Sequence, residues 1–222
     1  MLSNENLILA LPKGRILDEV MPLVRAAGIE PEAAFDDENA RQLSFATNIP
    51  GLEIIRMRSF DIATIIAFGA AHFGVVGGDV LMEFDSSEIY APLDLGIGNC
   101  RLVVAEPAEM AAEDNLQRWS HIRVATKYPE ITRRHFAARG VHAECIKLNG
   151  AIEIAPKLGL CQRIVDVTET GSTLRANGLV EVEEIASITS RLAVNRTALK
   201  TRTEEISGWI ERFREAVDGQ AT

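Results

Sequence analysis

The sequence predicts an α/β protein of two lobes, like a type II periplasmic binding protein, with its active site in the cleft between them. Three observations lead there. Strand-like apolar runs alternate with helix-like amphipathic stretches along almost all of the 222 residues. The alternation falls into two blocks, with no Ser-, Gly- or Pro-rich linker between them. The length suits one large domain or two small ones, and a chain of this size buries a core without disulfide or metal staples. A cleft between two such lobes is a natural small-molecule site.

In the first block, residues 6–11 (NLILAL) form a short apolar strand, and Pro12, Lys13 and Gly14 make a turn. Ile16, Leu17, Val20, Met21, Val24 and Ala27 then fall on one helical face that Gly28 closes. Residues 53–57 (EIIRM) read as a strand. Ser59 is placed to cap the next helix, with Ile62, Ile65, Ile66 and Ala70 on its core side. Residues 73–76 form a buried strand ending in Gly77, Gly78 and Asp79. This rhythm predicts a mainly parallel sheet with helices on both faces.

The second block begins near Arg101. Residues 102–105, 122–125, 145–148 and 164–167 read as strands, and a polar stretch rich in Glu and Ala follows the first of them. Pro129 suits the first position of a helix that Gly140 ends. Residues 151–158 read as a helix and 179–188 as an extended segment. Leu199, Ile206, Trp209, Ile210, Phe213 and Val217 make the apolar stripe of a closing helix. The expected division is 1–100 plus 189–222 for the first lobe, and 101–188 for the second.

Composition excludes several classes. The net charge of −9 lacks the basic footprint of a general nucleic-acid binder. The longest apolar run, 62–71, is about half of the roughly 20 residues a membrane helix needs. The N-terminus has no basic region of a signal peptide. The 3 cysteines are odd in number and lack metal-like spacing, so free thiols in a cytoplasmic protein are expected. The 4 histidines show no HxxxH or HExxH spacing that would hold zinc.

The strongest chemical signal is the run Asp166, Val167, Thr168, Glu169, Thr170, Gly171, Ser172, Thr173, Leu174. A buried strand ends in a carboxylate, and hydroxyls and a glycine follow. Gly171 lets the backbone approach an anion, and the amides of Ser172 and Thr173 would face outward at a helix start. Asp166 and Glu169 cannot bind phosphate, but they accept hydrogen bonds from sugar hydroxyls or hold Mg2+. Such a loop suits a sugar phosphate. A capped turn with surface acids accounts for the same residues equally well. Lys13 and Arg15 flank Gly14 after the first strand and suit a polyphosphate, although a solvated turn fits them too. Arg56 ends a strand and carries a guanidinium fork matched to pyrophosphate oxygens, or else pairs with a nearby acid. Tyr128, beside Lys127, is either a stacking residue near a nucleotide or a core tyrosine.

The loop resembles the phosphoribosyl-pyrophosphate (PRPP) motif of the ATP phosphoribosyltransferases, which open histidine biosynthesis. Five other blocks are similar in order: Leu11 to Arg15; Arg56 with Asp61, Gly74 to Gly77 and Asp79; Gly98 with Cys100 to Ala105; Arg123 to Pro129; and Asn149 to Pro156 with Arg191 to Asn195. The resemblance implies a transferase that moves phosphoribosyl from PRPP to N1 of ATP, needs Mg2+ and releases pyrophosphate. It implies PRPP contacts at Asp166, Glu169, Thr170, Gly171, Ser172, Thr173 and Leu174. ATP contacts would fall at Leu11, Lys13, Gly14, Arg15 and Asp79, with Arg56 catalytic and Glu153 and Asp166 near the metal. His72, Gly78 and Gln162 depart from the family pattern, Gln162 standing where an Asp is usual. After the last helix only residues 218–222 remain, so the chain resembles the short form of the family. The expected assembly is a homodimer alone and a hetero-oligomer with a separate regulatory subunit resembling histidyl-tRNA synthetase. Two other functions share this fold logic: a non-catalytic bilobal small-anion-binding protein, and a phosphoribosyltransferase acting on a free base. The missing export signal speaks against the first and the six-block pattern against the second.

Overall fold

The computed structural model describes residues 6–37, 41–111 and 120–220. Part of the Glu- and Ala-rich stretch after the second block's first strand lies outside them. The chain divides into two compact units, one of residues 1–81, 85–98 and 189–222, the other of 82–84 and 99–188.

The first unit holds a six-stranded sheet. Its strands are β1 (Leu7–Pro12), β2 (Ser44–Ala46), β3 (Leu52–Met57), β4 (Phe73–Gly77), β5 (Ile89–Asp94) and β11 (Ser190–Asn195), in the order β2-β3-β1-β4-β11-β5. β1 pairs parallel with β3 and with β4, while β2, β11 and β5 join antiparallel. The sheet is therefore mixed, where the sequence rhythm predicts a mainly parallel one. The reasons are β11, which returns from far along the chain and lies between β4 and β5, and the short strand β2, which folds back antiparallel on β3.

α1 (Arg15–Ala26) packs its stripe of Val20, Leu23 and Val24 into a core with Leu9, Leu11 and Phe73. Pro22 lies inside this helix on its exposed side, and its missing N–H removes the helical donor of the Asp18 carbonyl, on an exposed residue as well. α2 (Ser59–Ala67) begins one residue after its N-cap, Arg58, so Ser59 is the first helical residue and not the cap. Ile62 and Ile66 are buried as expected, but Ala70 lies beyond the helix end and is exposed, and Ala71 is buried instead. The closing helix is two helices, α7 (Arg196–Thr201) and α8 (Thr203–Gln220), broken at Arg202. Asn195 caps α7 by accepting from the Ala198 amide at 2.8 Å. α8 turns Ile206, Trp209, Ile210 and Phe213 into the same core, with Trp209 stacked on Phe73 at 6.1 Å.

The second unit holds β6 (Cys100–Pro107), β7 (His121–Thr126), β8 (His142–Lys147), β9 (Arg163–Thr168) and β10 (Leu179–Ile188), in the order β10-β6-β9-β7-β8. β7 pairs parallel with β8 and β9, and β6 pairs antiparallel with β9 and β10. α5 (Pro129–Ala137) starts at Pro129 as predicted, and α6 (Ser172–Ala176) follows β9. α3 (Gly78–Phe84) and the single turn α4 (Ala108–Ala111) complete the helices of the described residues. The helix expected over 151–158 is only a 3-10 turn, Ile152–Ile154. Ala151 enters it left-handed at φ 49°, and Pro156 has no N–H to continue an α-helix. Arg163 and Glu106, both side chains 3% exposed, pair at 2.5 Å between β9 and β6.

Candidate active site

In the first unit, the predicted nucleotide residues gather at the C-terminal ends of the parallel strands. Leu11 of β1 stands opposite Arg56 of β3, and the Lys13 amide extends that ladder by donating to the Met57 carbonyl at 3.0 Å. In an open α/β sheet this is the end where ligands bind. Lys13, Gly14 and Arg15 are exposed, whereas the Leu11 side chain is fully in the core, so only its backbone is available to a ligand. Gly14, at φ 81°, caps α1 without a side-chain hydrogen bond. Arg15 pairs with Glu19 at 2.9 Å, and the other oxygen of Glu19 accepts from the Gly98 amide at 2.7 Å. Gly98 has no room for a side chain: a Cβ would lie 2.7 Å from both Ile16 Cδ1 and Ser190 Oγ. At the end of β4, a Cβ on Gly77 would collide with the Asp79 carboxylate, which folds back over this glycine. The Arg56 guanidinium donates from Nη1 to the Phe35 carbonyl at 2.9 Å and lies against two phenylalanine rings.

In the second unit, the loop after β9 is built by its own residues. Thr168 Oγ1 accepts from the Gly171 amide at 2.9 Å, and the Thr170 hydroxyl bonds the Ser172 hydroxyl at 3.0 Å. Gly171 turns left-handed at φ 71°, which a glycine adopts freely. Its carbonyl then accepts from the Arg175 amide at 3.1 Å to start α6. A Cβ on Gly171 would come 2.6 Å from Glu181 Oε1 and 2.8 Å from Arg175 Nη1. Glu169, Thr170, Ser172 and Thr173 are exposed, and Leu174 anchors the loop in a core with Val103, Ala105, Ile164 and Leu179. The outward Ser172 amide that the sequence suggests is instead turned to Thr170 Oγ1, at 3.3 Å. An open cavity of about 380 Å3 borders the loop, lined by Arg101, Thr170, Gly171, Arg175 and Glu181 among others. Arg101 is held by Glu181 at 2.7 Å and Glu184 at 3.6 Å. Hydrogen bonding to Glu181 holds its guanidinium above the ordinary arginine range.

The two acids expected near a metal are both partly buried. Asp166 Oδ1 accepts from the Val167 amide at 2.8 Å, and Glu153 sits on the 3-10 turn after β8. No three His, Cys, Asp or Glu side chains among the described residues converge as a metal cage. One or two carboxylate oxygens suit Mg2+ when substrate phosphates supply other ligands.

Tyr128 and several other polar side chains have structural explanations. Tyr128 is 1% exposed, a core residue. Arg133 pairs with Glu130, and Arg134 donates to the Met82 carbonyl. Burial pushes the thiols of Cys145 and Cys161 up, away from reactivity. The departures from the family pattern carry local bonds. His72 Nδ1 accepts from the Ile8 amide at 3.0 Å, Gly78 N–H donates to the Thr189 carbonyl at 2.8 Å, and Gln162 Oε1 accepts from the Arg123 amide at 3.0 Å. Thr168, the last residue of β9, has a role that its place in the run Asp166 to Leu174 does not reveal: it latches the Gly171 amide. Its signal is a hydroxyl three places before a turn glycine.

The HisG family, described as ATP phosphoribosyltransferase, matches residues 58–215. An ATP phosphoribosyltransferase of Paramagnetospirillum magneticum is 69% identical over 97% of this chain and 98% of its own. That of Rhodospirillum rubrum is 67% identical over 98% and 96%. Among solved structures, the ATP phosphoribosyl transferase (HisG:HisZ) complex from Thermotoga maritima superposes with a TM-score of 0.80 at 31% identity, over 96% of this chain and 99% of that one. With the two sheets and the loop after β9, these matches define the class as a two-lobed, periplasmic-binding-protein-like α/β pentosyltransferase. The chain belongs to the ATP phosphoribosyltransferase family.

Proposed function

We infer that the protein transfers the phosphoribosyl group of PRPP to N1 of ATP and releases pyrophosphate, the first step of histidine biosynthesis. The observation that carries this reading is the self-latched hydroxyl–glycine loop of β9 and α6, in a chain similar over its whole length to ATP phosphoribosyltransferases. The exposed hydroxyls of Thr170, Ser172 and Thr173 meet the ribose 5-phosphate. Gly171, buried with its amide and carbonyl both bonded inside the loop, supplies the left-handed turn that presents these hydroxyls, and Leu174 fixes the loop to the core. Asp166 and Glu169 accept from the ribose hydroxyls. On the first unit, Lys13, Gly14 and Arg15, the Leu11 backbone and Asp79 hold ATP.

N1 of adenine carries no proton, so no base is needed. Its lone pair attacks C1 of the ribose, the bond from C1 to the pyrophosphate oxygen breaks, and the electron pair leaves with the pyrophosphate as the configuration inverts. The protein's contribution is orientation and stabilisation of the growing negative charge. Arg56 meets that charge. Mg2+, held by Asp166 and Glu153 together with the pyrophosphate oxygens, would neutralise part of it.

The HisG:HisZ complex of the Thermotoga relative supports a separate regulatory subunit resembling histidyl-tRNA synthetase. By itself the chain is a cytoplasmic homodimer that histidine does not inhibit. No helix among the described residues is long and apolar enough to cross a membrane. The test is PRPP-dependent pyrophosphate release in Mg2+, with ATP against free purine and pyrimidine bases. Release with ATP alone is expected. Release with a free base and none with ATP overturns the reading.

A further inference from the structure

The short strand β2 and the 3-10 turn Ala33–Asp36 take no part in the reading above, yet both converge on Arg56. Phe35 of the turn and Phe45 of β2 are 2% and 0% exposed and meet edge to face, with centroids 5.1 Å apart and planes at 78°. The Arg56 Cζ lies 4.9 Å from the Phe35 centroid and 4.6 Å from that of Phe45. The Phe35 carbonyl takes Nη1 at 2.9 Å, and the Arg56 amide donates to the Leu43 carbonyl at 2.9 Å, just before β2. Nε is fully buried and has no acceptor. A plain surface arginine would turn this N–H to water. Here the aromatic pair holds the guanidinium in place at the cost of an unmade hydrogen bond.

We propose that Phe35 and Phe45 are positioning residues that clamp the Arg56 guanidinium for the chemical step. The inference rests on the role given to Arg56 above. Two π systems attract the cation, and the Phe35 carbonyl fixes its rotation. Nη1 is taken by the Phe35 carbonyl and Nε is fully buried, which leaves Nη2. It is therefore the group left to meet the departing pyrophosphate. A donor fixed beforehand does not reorganise as charge develops, so the clamp raises kcat and leaves substrate affinity nearly unchanged.

The test separates ring electronics from packing. Replacing Phe45 by mono-, di- and trifluorophenylalanine drains the ring face of negative charge at almost constant volume. The single-turnover rate is expected to fall stepwise with fluorine number, by about 3- to 30-fold in all, the range of a desolvated cation–π pair. Both KM values should stay within about threefold and the melting temperature near that of the wild type. Phe45→Leu should give a similar rate loss. It should also speed hydrogen exchange at Arg56 Nε, read by 15N NMR without any substrate. A rate indifferent to fluorination, beside a slow Arg56→Ala protein, overturns the clamp alone. An Arg56→Ala protein as fast as the wild type overturns the role of Arg56, and the clamp with it.

Discussion

The two candidate substrate regions are built on opposite plans. In the loop after β9, bonds that shape the turn span four residues at most: Thr168 to Gly171, Thr170 to Ser172, Gly171 to Arg175. Around Arg56, the partners come from 21 residues upstream at Phe35 and from Phe45 on a separate strand. The loop is a local cradle, and the arginine setting is a tertiary one. A local cradle fits a ground-state ligand with its exposed hydroxyls. A cation set in advance fits the negative charge that grows on the pyrophosphate as the bond breaks. The difference is consistent with the proposed division, PRPP binding by the loop and the chemical step at Arg56.

The largest effect should come from Gly171→Val. The side chain meets Glu181 and Arg175 and forces a β-branched residue to a positive φ. Calorimetric titration should show PRPP binding lost, while a thermal melt shows a folded protein a few degrees less stable, consistent with roughly 1–2 kcal/mol of backbone strain. Arg56→Ala should lower the single-turnover rate by about 10²–10³, the usual cost of one lost transition-state donor. Thr168→Val removes the latch on the Gly171 amide. The loss of one such hydrogen bond, about 0.5–1.5 kcal/mol, should weaken PRPP binding by up to roughly tenfold without touching the rate at saturation. A Thr168 variant with a slowed chemical step and intact PRPP affinity would blur the division between the two regions.

The smallest effect concerns His72, remote from both regions in role. Burial, with a smaller push from Arg202, lowers its pKa, while Glu205 opposes the shift. Its Nδ1 must stay unprotonated to accept from Ile8. The unfolded chain therefore takes up the proton first as the pH falls below about 6.5. Stability is complete above that pH and declines as the pH descends toward the folded value. Urea midpoints at pH 7.5 and 5.5 should differ less in His72→Gln than in the wild type. An equal fall in both would place the acid sensitivity elsewhere, with His135 the next candidate, since burial lowers its pKa as well.

The same contrast decides what was legible in the sequence. The loop could be read because its chemistry is contiguous, and β1, α1, β4 and α8 because their apolar spacing is regular. β2 spans only three residues, and β5 is interrupted by Pro92, so neither shows a usable period. The helix expected over 151–158 failed on a left-handed Ala151 and the missing N–H of Pro156, both backbone effects that apolar spacing does not reveal. The antiparallel insertion of β11 between β4 and β5 is a long-range pairing, and a rhythm of neighbouring elements cannot announce it. Arg56 was recognisable as a cation at a strand end, but its clamp was not, because Phe35 and Phe45 read as ordinary core residues until the fold brings them to the guanidinium.

The central claim is that the loop binds PRPP and Arg56 acts on the bond that breaks. Its most direct test is a PRPP titration of Gly171→Val and Arg56→Ala side by side, in Mg2+ and without ATP. The account predicts no measurable binding by the first protein and affinity within about threefold of the wild type for the second, since loss of a donor used only in the transition state leaves ground-state binding intact. Wild-type affinity in a folded Gly171→Val protein, or binding abolished by Arg56→Ala, would contradict it.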